Sequence, residues 1–173
     1  DKRHLVVSGL MGALKRIWVD AWSARMEYIL QNTLLALLEY PDSTLLDVNR
    51  MLISKTFRQA VVEKITDPIV KGFWVEEFAQ FTDTYAREAT PAIQNKIGQF
   101  TANPLIRNII GQGKSSFDLR KIMDEKKIFI VNLSKGRMGE TNASLLGSML
   151  VVKIYLAAMS RADEPAARMA ALP

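Results

Sequence analysis

The 173 residues carry 23 Lys and Arg against 18 Asp and Glu, a net charge of +5, with no Cys and a single His. This excludes a disulfide framework and a zinc cluster built on Cys and His, and it suits a reducing compartment. A charge of this size permits contact with an anionic polymer without demanding it, while a hydrophobic content of 49% is ample for a core.

In chain order, residues 5–19 place apolar side chains at 6, 7, 10, 11, 14, 17 and 18, the spacing of an amphipathic helix, with Lys15 and Arg16 on the other side. His4 is read as solvent-facing. Trp22, Met26, Ile29, Leu30, Leu34, Leu37 and Leu38 predict a second helix that Pro41-Asp42 ends. Trp18 and Trp22, one turn apart, resemble a stacking platform for bases but fit core packing better.

Thr44-Leu-Leu-Asp47 resembles a capping box and opens a short helix through Leu52. Residues 55–65 predict another, buried through Phe57, Val61, Val62 and Ile65. Asp67-Pro68 is a cap followed by proline at the first helical position, which starts a helix over 69–81 with Phe73, Trp74, Phe78 and Phe81 on its apolar side. Residues 83–99 continue the helical pattern with a kink or break expected at Pro91. Thr101–Pro104 interrupts it, and 105–110 is a short apolar helix or turn. Residues 1–110 therefore read as an all-helical domain.

The texture then changes. Residues 111–125 form a connector and a short helix, 119–124, capped from the Ser115–Asp118 segment. The run Ile128-Phe129-Ile130-Val131, between Lys126-Lys127 and Ser134-Lys135-Gly136, predicts a strand over 127–133 buried on both faces. A long helix over 140–161 follows, its Leu145, Met149, Val152, Leu156 and Met159 suited to lying on a sheet. Residues 126–173 thus read as one β-α unit. No other stretch reads as the strand's neighbour. A strand buried alone leaves N–H and C=O groups unpaired at about 1–3 kcal/mol each, so the sheet is expected to be completed by sequence outside this chain. The fold class expected is mainly α: a multi-helix domain followed by one β-α unit of an incomplete α/β core.

Gly113-Lys114-Ser115 matches the end of a Walker A loop, Gly-x-x-x-x-Gly-Lys-Ser/Thr, whose backbone N–H groups wrap phosphates. The first glycine is replaced by Asn108, no buried strand precedes the segment, and the helix after it is short. An exposed connector is the better reading. The apolar window 143–159 approaches the length of a membrane span but carries Lys153, so no span is expected here. No secretory or lipidation motif is visible.

The string 103–161, Val131-Asn132-Leu133-Ser134-Lys135-Gly136 above all, together with residues 4–39, resembles the conjugative-transfer and type IV secretion ATPases of bacteria. These are the TraG/TraD coupling proteins and their HerA- and FtsK-like P-loop relatives. The resemblance covers nearly the whole chain. It implies an internal segment between the Walker A and Walker B regions, with an all-helical domain inserted between them. It also implies a DNA-translocating motor that uses ATP and magnesium in the parent protein. The fragment itself is expected to bind no cofactor and to lack catalytic and metal-ligating residues. Implied partners are DNA, further copies in a hexameric ring, and secretion-channel or relaxosome proteins, at the cytoplasmic face of the inner membrane.

A strand ending in Ser134-Lys135-Gly136 would deliver a hydroxyl and a cation to the sheet edge where ligands bind. Ser134, Lys135 and Arg137 are accordingly the residues expected near nucleotide or DNA. The alternative is a stand-alone helical module that binds protein or DNA, with Lys15, Arg16 and Arg25 as its contacts. A third is a small NTPase using Lys114.

Overall fold

The computed structural model describes residues 2–81 and 83–163, with the side chains of 83–89 and 162–163 left aside. The Ala-rich stretch 164–173 lies outside the described residues. Among the described residues ten α-helices follow one another: α1 (Arg3–Ile17), α2 (Ala24–Leu37), α3 (Asp47–Ile53), α4 (Lys55–Lys64), α5 (Pro68–Gly72), α6 (Asp83–Ala102), α7 (Pro104–Ile110), α8 (Leu119–Asp124), α9 (Lys135–Met138) and α10 (Glu140–Met159). The protein is mainly α, and no strand occurs among the described residues.

Local chemistry sets the boundaries. Ser23 accepts from the Met26 N–H, Ser54 from Phe57, and Asp67 from Ile69 and Val70 ahead of Pro68. Asn103 and Asp118 do the same for α7 and α8. Each cap satisfies N–H groups that the helix itself leaves without acceptors. The Thr44–Asp47 box also forms, Asp47 accepting from both the N–H (2.9 Å) and the hydroxyl (3.1 Å) of Thr44. Residues 68–80 stay helical but pass through a π turn at Phe73–Glu77 and a 3-10 turn at Phe78–Gln80, and Phe73, Trp74, Phe78 and Phe81 pack on one another with ring centroids 4.7–6.1 Å apart. Pro91 does not break α6.

The core gathers Leu14, Met26, Ile29, Val48, Met51, Val61, Phe73, Ile97, Phe100 and Ile106, all under 3% exposed. Trp18 stacks on Phe100 at 5.1 Å and Trp22 packs at the edge of the same core, so both serve packing. Arg58 crosses the gap from α4 and donates to the Met51 and Leu52 carbonyls at the end of α3, closing a helix C-terminus from a distance. Burial pulls its guanidinium below its usual range.

α1 lies along α10. The approach is closest at Gly9, where an added Cβ would sit 2.5 Å from Cγ1 of Val152. The stripe of α10 that the spacing assigns to a sheet is therefore turned to α1 at Val152, with Leu145 wholly buried and Met149 against the core. At its far end α10 is tied to α8, since Arg120 donates to the Ser160 hydroxyl and Arg161 pairs with Asp124. The rest of α10 is open: Val151, Tyr155 and Met159 are all more than half exposed. With a mean hydropathy of 1.5 it is long and apolar enough to cross a membrane by length and composition, with Lys153 in its middle.

Candidate functional site

The strand expected at 127–133 is not formed, because a strand exists only by pairing and this segment has nothing to pair with. Among the described residues, the backbone from Ile128 to Leu133 makes no hydrogen bond. The expected burial is absent too: Ile128 is 90% and Ile130 86% exposed, and Val131 is exposed as well. Leaving such side chains in water forgoes about 1.5–3 kcal/mol each. The alternation of a strand survives in part, since Phe129 and Leu133 turn inward. Phe129 packs on Phe117 at 5.2 Å, and Leu133 rests on α10 where Gly147 has no side chain; a Cβ there would come within 3.2 Å of Leu133 Cδ1.

The ribbon ends in a tightly held loop. The Ser134 N–H donates to Asn132 Oδ1, and the Ser134 carbonyl accepts from the N–H groups of Arg137 and Met138. Met138 is buried, and Asn142 Nδ2 donates to its carbonyl at 2.6 Å. Gly139 then turns the chain with φ of 85°, the left-handed region that glycine enters without strain. Lys135 Nζ lies 2.6 Å from Glu140 Oε1, and its hydrogen bond holds the Glu140 carboxyl below the usual range. Arg137 is exposed and without a partner among the described residues. Two residues apart on a helix is about 200° of rotation, so Lys135 and Arg137 point away from each other. Ser134, Lys135 and Arg137 share one loop but do not form one anion clamp.

Lys15, in the last turn of α1, pairs with Glu27 at 3.2 Å; Glu27 also accepts from the Trp22 indole at 2.6 Å. The indole hydrogen bond first, and then Lys15, lower the Glu27 carboxyl. A cleft of about 320 Å³ opens between α1 and α2 here, edged by His4, Ser8, Lys15, Glu27 and Gln31 over Met11. Arg16 and Arg25 are exposed on the last turn of α1 and the first turn of α2. The cleft escaped the sequence reading, although the four-residue repeat of His4, Ser8 and Gly12 marks its wall.

The glycines of the Gly111–Ser115 connector have a packing role. A Cβ at Gly111 would lie 2.7 Å from Leu46 Cδ1 and from the Arg107 carbonyl oxygen, and one at Gly113 would lie 3.1 Å from the Asp42 carbonyl oxygen. They let the connector press on the 42–46 turn. Ser115 donates to the Phe117 carbonyl, Lys114 is exposed, and α8 has only six residues. Among the described residues no group of three His, Asp or Glu side chains is placed to hold a metal. Comparison with protein-family models, with curated proteins and with solved structures finds no match to this chain.

Proposed function

We propose that this chain is the segment of an ATP-driven, DNA-translocating motor that lies between its phosphate loop and its acidic Walker B strand. One observation carries the reading: an apolar ribbon with its backbone unpaired, beside a long helix whose other face is also open. Both are what an α/β core presents when the remaining strands are absent. The sequence resemblance at Val131–Gly136 supplies the family. In this reading the ribbon becomes a strand of the motor sheet, α10 covers that sheet, and α1–α7 form a lobe facing DNA or a partner protein.

ATP and magnesium are held by residues outside this chain, which has no turnover of its own. Lys135, engaged by Glu140, orders the loop at the ribbon's end, and Arg137 is the cation left for phosphate of nucleotide or DNA. The parent assembles as a hexameric ring at the cytoplasmic face of the inner membrane, beside secretion-channel or relaxosome proteins. The full gene product is expected to hydrolyse ATP faster with DNA present, and the 173-residue chain to hydrolyse none. A reading frame without a Gly-Lys-Ser/Thr loop upstream and an acidic strand end downstream overturns the proposal.

A second reading, a helical module binding single-stranded DNA or protein, is favoured by the continuous core that α1–α7 share with α9 and α10 and by the exposed Arg16 and Arg25. Salt-dependent binding of an oligonucleotide to the chain alone, weakened by Arg16→Ala, supports it; no binding at low salt refutes its nucleic-acid form.

A further inference from the structure

Lys135 and Glu140 stand on either side of the Gly139 turn, and their side chains meet at 2.6 Å although both are largely in water, 66% and 76% exposed. An ion pair so exposed is screened and restrains two long side chains, so it gives way readily to a stronger partner. The rest of the loop is held without these two charges. The Ser134 carbonyl accepts from Arg137 and Met138, the Met138 side chain is buried, and the Asn142 amide donates to the Met138 carbonyl. Opening the pair therefore frees an ammonium and leaves the turn standing. Glu140 is not stranded by the loss, because it lies in the first turn of α10, where N–H groups lacking intrahelical acceptors favour a carboxylate. Arg137 has no such keeper, so Lys135 is the cation of this loop whose availability is controlled.

We propose that Glu140 is a resident competitor for phosphate: it holds Lys135 in reserve, and Lys135 passes from this carboxylate to a phosphate oxygen when the ligand arrives. This rests on the motor reading for the presence of phosphate at the loop and adds how access to Lys135 is regulated. The exchange replaces one charge-assisted hydrogen bond with another and transfers no proton, the lysine staying an ammonium throughout.

Glu140→Gln, Lys135→Ala and the double variant are made in the full gene product, and the half-saturating concentrations of ATP and of a DNA oligonucleotide are measured for each. Glu140→Gln should lower one of the two about three- to fivefold, the worth of an exposed pair, and the one that moves tells whether the phosphate belongs to nucleotide or to DNA. In the Lys135→Ala background the same change should do nothing. An equal gain there shows that Glu140 acts on the phosphate by repulsion alone and overturns the inference. ATP hydrolysis stimulated by DNA but indifferent to Glu140→Gln overturns it as well, while the motor reading stands. A full gene product that hydrolyses no ATP brings down the motor reading and this inference with it. Glu140→Gln in the 173-residue chain should leave Tm within about 2 °C, and a larger fall makes the pair structural and overturns the exchange.

Discussion

Gly9 and Gly12 sit one turn apart in α1 and should respond in opposite ways to the same substitution. An alanine in a helix interior gains about 0.5–1 kcal/mol over glycine. At Gly12 no atom lies within 4 Å of the new methyl, so Gly12→Ala should stabilise by about that amount. At Gly9 the methyl would lie 2.5 Å from Cγ1 and 3.0 Å from Cγ2 of Val152, a stiff β-branched side chain with no free end to swing away. Overpacking of this kind costs about 1–3 kcal/mol, which offsets or exceeds the propensity gain. The two variants should therefore differ by about 1–3 kcal/mol, and at 2–4 °C per kcal/mol for a chain this long their Tm values should separate by about 5 °C. Urea or thermal melts followed by circular dichroism read the difference. Adding Val152→Ala removes both clashing methyls, so the double variant should be more stable than the singles sum to, with a coupling of about 1–2 kcal/mol. Gly9→Ala raising Tm as much as Gly12→Ala, with no coupling to Val152, would refute the close contact of α1 with α10.

Glu39 has a side chain only 5% exposed and accepts from Arg3, from both donors of Thr66 and from the Asp67 N–H. Its burial raises the carboxyl and these bonds together outweigh that, leaving it below the usual carboxylate range. A depressed folded value means the stabilisation is complete above the unfolded value and fades as pH falls through the folded one. Glu39→Gln should thus cost about 1 kcal/mol at pH 7 and flatten the loss of stability at acid pH, read by melts from pH 3 to 7. Arg58→Met keeps the stem but abandons two carbonyls and the contact over Phe78, with an expected loss of about 1–3 kcal/mol; Arg58→Lys should restore only part of it. Nucleotide binding by this chain should be undetectable with or without Lys114→Ala, and measurable binding abolished by that change would revive a phosphate loop there. Ile130→Lys should be neutral within about 0.5 kcal/mol in this chain, since the side chain is already in water.

The helical part was legible because its signals are local. Asp67 and Asp118 cap the helices they were read to start, and the Thr44–Asp47 box forms through the side chain that spacing indicates. A cap needs only the next turn of its own helix, so three or four residues suffice to announce it. The strand at 127–133 failed for the opposite reason: its apolar run is real, but pairing is supplied from afar and none is supplied here. The α10 stripe was read in the right period, but at Val152 it meets α1, because periodicity gives a face and never says what meets it. Gly9 is the residue that lets α1 approach α10, a role that helical spacing does not announce. The π turn and the reach of Arg58 to α3 left no trace in spacing, since each depends on packing between elements far apart in sequence. Of the candidate site, Ser134, Lys135 and Arg137 fall on one loop, yet the opposed directions of Lys135 and Arg137 only emerge once Ser134–Met138 is seen to be a helical turn.

Amide hydrogen exchange at Ile128–Leu133 tests the central claim most directly. In the 173-residue chain these amides should exchange at nearly the rate of an unfolded peptide while those of α2 and α6 are protected. In the full gene product they should gain at least about a hundredfold protection, as core strands do. Protection already present in the chain alone, or none gained in the full gene product, would contradict the account.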